Sequence, residues 1–410
     1  MTTLADRATS ALGLLFMIAI AWACSQDRRN VPWRTVAWGV GLQIALGLLL
    51  LKTPVGHAFF GIMNALVAAL LRYTDAGVAF VFGGLVPESF SFAVNVLPII
   101  VFMGSGFSVL YHLGAIQRIV DALAWVLSRT LKISGAESLS AVSNLFVGMA
   151  ESALVVQPYL ARMTSSELFL LMTMGMATVA GSVLLAYVGM LGGGDYAGHL
   201  ATASLLSAPA GILIAKIMVP EAGTPDTASG GRAVVRRTSV NVIDAAAQGA
   251  LSGMRLAAYV GALLIAFVAL IAMLNEFLGF AGSLLGFPDL SIQALLGTAL
   301  APIAWLMGVP WADAAQVGAL LGVKTVLNEF IAYMQLAELS RTGALEPRSA
   351  VIASYALCGF ANFGSLAILL GGIGGLAPER RSEIARFGLR CILSGSLAAF
   401  MTACVAGLLL

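Results

Sequence analysis

Apolar runs of about bilayer length recur from one end of the chain to the other. They lie near 10–24, 35–51, 91–112, 167–191, 198–219, 254–276, 350–373 and 388–409. A helix needs about 20 apolar residues to cross ~30 Å of hydrocarbon, and in lipid its backbone groups must be satisfied within the segment. Eight such runs predict an all-α polytopic membrane protein with eight transmembrane helices. Composition supports this: 10% of residues are charged and 60% hydrophobic, with mean hydropathy +0.95, whereas a water-soluble domain carries roughly a quarter charged residues.

A net charge of +2 gives no reason to expect nucleic acid as a partner. Cys24, Cys358, Cys391 and Cys404 show no paired spacing and read as isolated thiols. His57, His112 and His199 are too dispersed for a His-based metal motif. The run 10–24 resembles a signal peptide, with Ala-Trp-Ala-Cys near a cleavage position. Trp22 suits that position poorly, and Asp27-Arg28-Arg29 behind it reads as a stop-transfer flank, so an uncleaved first span is expected. Cytoplasmic loops retain Arg and Lys. Arg28, Arg29 and Arg34, then Arg118, Arg129 and Lys132, then Arg232, Arg236 and Arg237, then the run 378–390 all fall on one side. Both termini are therefore expected outside, with Arg341 and Arg348 as outer exceptions.

The segments 54–72, 115–132 and 290–306 read as helices near the membrane interface. Two more, 137–160 and 312–340, carry polar clusters at their middles, Val147–Glu151 and Leu327–Phe330. Each has room for two arms of roughly ten to fourteen residues, and ten helical residues reach about 15 Å, half the hydrocarbon core. They are expected to be re-entrant hairpins of opposite orientation with tips at the midplane. The order interfacial helix, hairpin, broken span, span occurs twice. The expected division is 1–114 as N-terminal scaffold, 115–219 as first repeat, 220–289 as cytoplasmic loop and sixth span, and 290–410 as second repeat. Inverted repeats whose hairpin tips meet at midplane point to a secondary transporter, although periodicity alone leaves a channel open.

A carboxylate at the membrane centre costs roughly 2.5–3.5 kcal/mol on insertion scales and usually faces a polar cavity. Glu151 and Glu329 occupy equivalent places in the two repeats. The competing structural reading pairs Glu329 with Lys324. Asn362 and Ser365, three residues apart, would share a helix face and offer both donors and acceptors to a hydroxyl-rich ligand, or else bind neighbouring helices together. Thr178, Gly181 and Ser182 interrupt an apolar span, either as a packing seam or as a local unwinding. In the second case the freed carbonyls, the Thr178 hydroxyl and the Asn144 amide oxygen would suit a monovalent cation.

On these residues the chain resembles the concentrative nucleoside transporter family in its bacterial eight-span form. Gly322–Ala332, "GVKTVLNEFIA", follows that family's G/A-x-K-x3-N-E-F-x-A motif position by position, and "ESALVVQPYL", "MTSSELFLLMTMGMATVAGSVLLAY" and "CGFANFGSLAI" are similar to it in order. The resemblance runs from about residue 90 to the C terminus. It implies a homotrimer in the bacterial inner membrane, with an elevator-type transport domain in each subunit. It assigns the sugar side of the site to Glu329, Asn328, Asn362, Ser365 and Phe360. The base side falls to Glu151, Met149, Ala150 and Val183, and a sodium site to Asn144, Val147, Thr178 and Val179. One departure stands out: Met149 and Ala150 replace the family's Gln followed by Ser or Thr. Methionine offers only a weakly accepting sulfur and alanine no polar group.

The expected function is sodium-coupled symport of nucleosides into the cytoplasm. The alternatives are proton coupling, or a modified nucleoside or other polyhydroxylated solute as cargo. An enzyme would need a nucleophile–base or metal constellation that the polar cluster lacks.

Overall fold

A computed structural model describes residues 4–86, 90–193, 196–227, 239–284, 286–287 and 290–410. Arg232, Arg236 and Arg237, used above for orientation, lie outside them, as does the Ala150 side chain. The described chain is helical: α1 (Leu4–Ala23), α2 (Trp33–Lys52), α3 (Pro54–Phe82), α4 (Phe92–Asn95), α5 (Leu97–His112) and α6 (Ala115–Leu131) come first. Next come α7 (Gly135–Val147), α8 (Met149–Val155), α9 (Gln157–Leu160), α10 (Ser165–Ala177), α11 (Gly181–Met190) and α12 (Tyr196–Met218). The C-terminal half holds α13 (Val242–Leu284), α14 (Ile292–Leu306), α15 (Trp311–Val326), α16 (Glu329–Arg341), α17 (Pro347–Leu357), α18 (Phe363–Leu376) and α19 (Arg381–Leu409).

Eight of the described helical segments are long and apolar enough to cross a membrane, but their membership differs from the expected eight. The helix expected near the interface over 54–72 continues to Phe82 and is long and apolar enough to cross a membrane. Thr74 and Asp75 mask this continuity in the sequence, and the Thr74 hydroxyl simply donates back to the Leu70 carbonyl. The span expected over 254–276 lies within a 43-residue helix, α13, about 65 Å long at 1.5 Å per residue. The run 350–373, expected as a broken span, does divide into α17 and α18, at Cys358–Asn362. The 290–306 segment, expected at the interface, forms α14, which lies against α15 across a 116° bend.

The two hairpins break where the polar clusters fall. The first consists of α7, Gly148 and α8, and the second of α15, Leu327–Asn328 and α16. Their arms are less even than expected: α8 has 7 residues and is followed by a further break at Val156. After the first hairpin α10 and α11 part at Thr178–Ala180, and after the second α17 and α18 part at Cys358–Asn362. Helices α10, α12 and α19 are buried along most of their length, whereas α3 and α13 are mostly uncovered. Arg341 and Arg348, expected on the outer side, have local partners. Arg348 Nη2 donates to the Gly407 carbonyl at 2.6 Å, and Arg341 pairs with Glu338 at 2.6 Å.

Helices α5 and α13 meet through glycines that allow backbone-to-backbone contact. A Cβ on Gly253 would sit 2.7 Å from the Ile100 carbonyl oxygen and 2.8 Å from the Val101 Cα, atoms that cannot step aside. Replacing Gly253 by Leu is expected to destabilise the protein by about 1–3 kcal/mol, the usual cost of overpacking, and to lower the unfolding midpoint in detergent. Gly106→Ala on α5, where no atom lies within 4 Å of the added Cβ, serves as the control and should leave the midpoint unchanged or raise it.

Candidate functional site

The second hairpin breaks because its polar residues offer better partners than another helical turn. Leu327 takes φ −109°, ψ −91°, and Asn328 is extended. The Asn328 Oδ1 accepts the Ile331 N–H at 3.0 Å and caps α16, as short polar side chains do at helix starts. Glu329 is thereby the first residue of α16, with its side chain buried. Tyr187 donates its hydroxyl to Glu329 Oε1 at 2.9 Å, and Asn362 donates Nδ2 to Oε2 at 2.6 Å. Hydrogen bonds to a charged group contribute about 1.5–3 kcal/mol each, so this pair offsets much of the cost of placing a carboxylate in the membrane. Lys324, the alternative partner, donates instead to the Ala356 carbonyl at 2.8 Å.

Asn362 is used twice. Its Oδ1 accepts the Ser365 N–H at 2.7 Å and caps α18, while its Nδ2 reaches Glu329. The two residues therefore meet through a cap and do not share a helix face, because Asn362 lies just outside the helix. Tyr187 is held in turn by stacking on Tyr333, with ring centroids 4.4 Å apart and 22° between planes, and Tyr333 donates to the Ser354 carbonyl at 2.8 Å.

In the first hairpin Gly148 takes φ +101°, a conformation that a side chain would strain, and the chain turns there from α7 into α8. Four residues earlier Asn144 is buried, and its Nδ2 donates to the Thr178 hydroxyl and the Met174 carbonyl, both at 2.5 Å. The Thr178 hydroxyl donates to the same carbonyl at 2.9 Å. Asn144 and Thr178 thus come together, but the amide nitrogen, a donor, faces the hydroxyl where the amide oxygen was expected, and Oδ1 turns toward Ser152. Val147 ends α7 and Val179 lies in the 178–180 break, so both carbonyls belong to helix ends, where intrahelical partners run out. Amide, hydroxyl and carbonyl oxygens suit a hard cation. Ser152, not singled out in the sequence, joins this cluster to the hairpin tip: its hydroxyl lies 3.4 Å from Asn144 Oδ1 and 3.2 Å from the Met149 carbonyl oxygen.

A cavity of about 900 Å³ opens between the two hairpin tips. Glu329, Asn328, Asn362, Ser365 and Phe360 line it, as do Glu151, Met149, Val147 and Val183. Asn144, Thr178 and Val179 lie behind that wall and are buried. Glu151 is exposed and lines the cavity, and its carboxylate is met by its own backbone N–H. The far wall comes from α5 and α13, with Tyr111, Ser108, Gln248 and Ser252 facing inward alongside Gln157. Sequence patterning could not find these residues, because single polar side chains on long apolar helices carry no periodic signal. Tyr187 gave a usable signal, since a tyrosine buried in an apolar span requires a hydroxyl partner.

A family model described as "Na+ dependent nucleoside transporter C-terminus" matches residues 199–407, and the corresponding N-terminal model matches 12–85. A third, "Nucleoside recognition", matches 93–194. The chain is 44% identical over 400 residues to the "Uncharacterized transporter YutK" of Bacillus subtilis, covering 97% of this chain and 98% of that one. It is 42% identical over 411 residues to solute carrier family 28 member 3 of Mus musculus, covering 97% of this chain and 58% of that protein's length. Among solved structures, CNTnw in an inward-facing substrate-bound state superposes with a TM-score of 0.92 at 44% identity, over 98% of each chain. A CNTnw variant in an outward-facing state gives 0.94 at 43% identity, over 99% of this chain and 98% of that one. The fold is that of an all-α, elevator-type membrane transporter, a carrier and not an enzyme. This chain belongs to the concentrative nucleoside transporter family.

Proposed function

We propose that the protein is a sodium-coupled symporter that takes up nucleosides into the cytoplasm. The observation that carries this reading is the Glu329 carboxylate, held on both oxygens by Tyr187 and Asn362 at the wall of the cavity. A fixed anionic acceptor beside the Asn362 amide and the Ser365 hydroxyl suits vicinal hydroxyls such as those of ribose. Glu151, Met149, Ala150 and Val183 form the base side. There the loss of the family's Gln-Ser/Thr pair leaves Glu151 as the polar group, so base preference rests on it and on the apolar walls. Modified nucleosides fall within that range.

Sodium takes the site made by Asn144, Thr178 and the carbonyls of Val147 and Val179. The ion draws these groups around itself, and the Ser152 link passes the ordering to Met149 and the hairpin tip. Ion and nucleoside then raise each other's affinity by the same factor, because linkage is reciprocal. Three copies form a homotrimer in a bacterial inner membrane with both termini outside. The two repeats, 115–219 and 290–410, supply the moving unit, and the scaffold comes from 1–114 and 220–289.

Uptake into proteoliposomes, tested with a panel of nucleosides under an imposed sodium or proton gradient, decides the coupling ion and the cargo. Sodium-driven nucleoside accumulation is expected; accumulation driven by pH alone would replace sodium by the proton. In the same assay Glu329→Gln should raise the nucleoside KM by roughly 10- to 100-fold, the equivalent of one charge-assisted hydrogen bond. Restoring polar groups at the base side, with Met149→Gln and Ala150→Thr together, should lower the KM for uridine by about tenfold. An unchanged uridine KM would show that the two positions do not read the base.

A further inference from the structure

The helices that carry the proposed cation ligands start at one buried ionic cluster. α7 begins at Ser134 and α10 at Thr164, and each start is a complete capping box, with Glu137 and Glu167 returning to the capping residue's N–H at 2.9 Å. The two boxes are joined, because Ser134 also donates its hydroxyl to Glu167 at 2.6 Å. Lys216, in the last turn of α12 and buried, closes the group. Its ammonium makes an ion pair with Glu137, bonds Ser166 at 3.0 Å and reaches Glu221 at 3.3 Å. The chain after α12 then straps the same two helices down. The Val219 carbonyl accepts the Ser166 hydroxyl at 2.7 Å, and Thr227 accepts the Gly135 and Ala136 N–H groups at 3.1 and 3.0 Å.

The cluster lies two helical turns from Asn144 along α7 and three from Thr178 along α10. Its geometric effect is to set how far α7 stands along α10. That register decides whether Asn144 and Thr178 face each other.

We propose that Lys216 is a positioning residue for the cation site: by tying Glu137 and Ser166 to one ammonium, it holds α7 and α10 in the register that brings Asn144 to Thr178. The nucleoside contacts at Glu329 and Asn362 belong to other helices and do not pass through it. This inference rests on the sodium reading proposed above.

The test compares Lys216→Met, Lys216→Arg and Glu221→Gln in the full-length protein, the last removing charge from the most exposed partner in the cluster. In proteoliposomes Lys216→Met should raise the sodium concentration for half-maximal uptake by about tenfold, within the usual range of coupling between sites. The nucleoside KM at saturating sodium should stay within about twofold of wild type. Lys216→Arg should recover most of the loss, and Glu221→Gln should shift the sodium response in the same direction by about threefold. Hydrogen exchange without ions gives a readout independent of the coupling ion. Amides at 144–149 should exchange faster in Lys216→Met, while those at 326–331 should not change. A wild type that transports without sodium would overturn the sodium reading, and exchange would still decide the positioning role. Unchanged exchange at 144–149, or sodium response and nucleoside KM worsening together without rescue by Arg, would overturn the inference itself. If Lys216→Met does not fold, Glu221→Gln decides: unchanged sodium response and exchange would overturn the inference.

Discussion

Backbone that leaves a helix inside hydrocarbon has no water to turn to, and its polar groups must be covered by protein. Four of the interruptions among the described residues, at Gly148, Thr178–Ala180, Leu327–Asn328 and Cys358–Asn362, cover one another. A Cβ on Gly148 would lie 3.4 Å from that of Ala180, and Gly359 lies against the carbonyls of Met176 and Ala177. Asn144 spans from the first hairpin to the α10 end, and Asn362 from the seventh-span break to Glu329. The cavity exists because these interruptions converge, and each supplies donors or acceptors that a continuous helix would have consumed.

Covering the breaks also explains why so little of the site is charged. Among the described residues, Glu151 and Glu329 are the carboxylates that line the cavity, and only Glu329 is held by side chains from other helices. Glu329 is therefore a fixed acceptor, whereas Glu151 has no such restraint and can adapt to what enters. One wall of the cavity is thus fixed and the other adaptable.

Much of this arrangement could be read in the sequence. Asn328-Glu329 and Asn362 announced themselves as polar groups at the midpoints of apolar segments, and the hairpin breaks fall inside the predicted clusters. Local chemistry sufficed there, since an Asn ahead of a helix start carries its own capping signal. What stayed hidden depends on partners distant in the chain. Tyr187 finds Glu329 across 142 positions, and Lys216 finds Ser166 across 50 positions and Glu137 from further off. Lys216 reads in sequence as the polar end of a span. The full extent of α13 was equally illegible, because its ends run beyond the apolar window that marks a membrane crossing.

The double use of Asn362 bears on how such a carrier can change its cargo over evolution. One amide both starts α18 and fixes Glu329, so any replacement of Asn362 that frees Glu329 also disturbs a helix start. Met149 is bound by no such obligation, since among the described hydrogen bonds only its backbone carbonyl takes part, accepting from Ser152. A substitution at Met149 that keeps its buried volume therefore leaves the caps of this site intact, while one at Asn362 cannot.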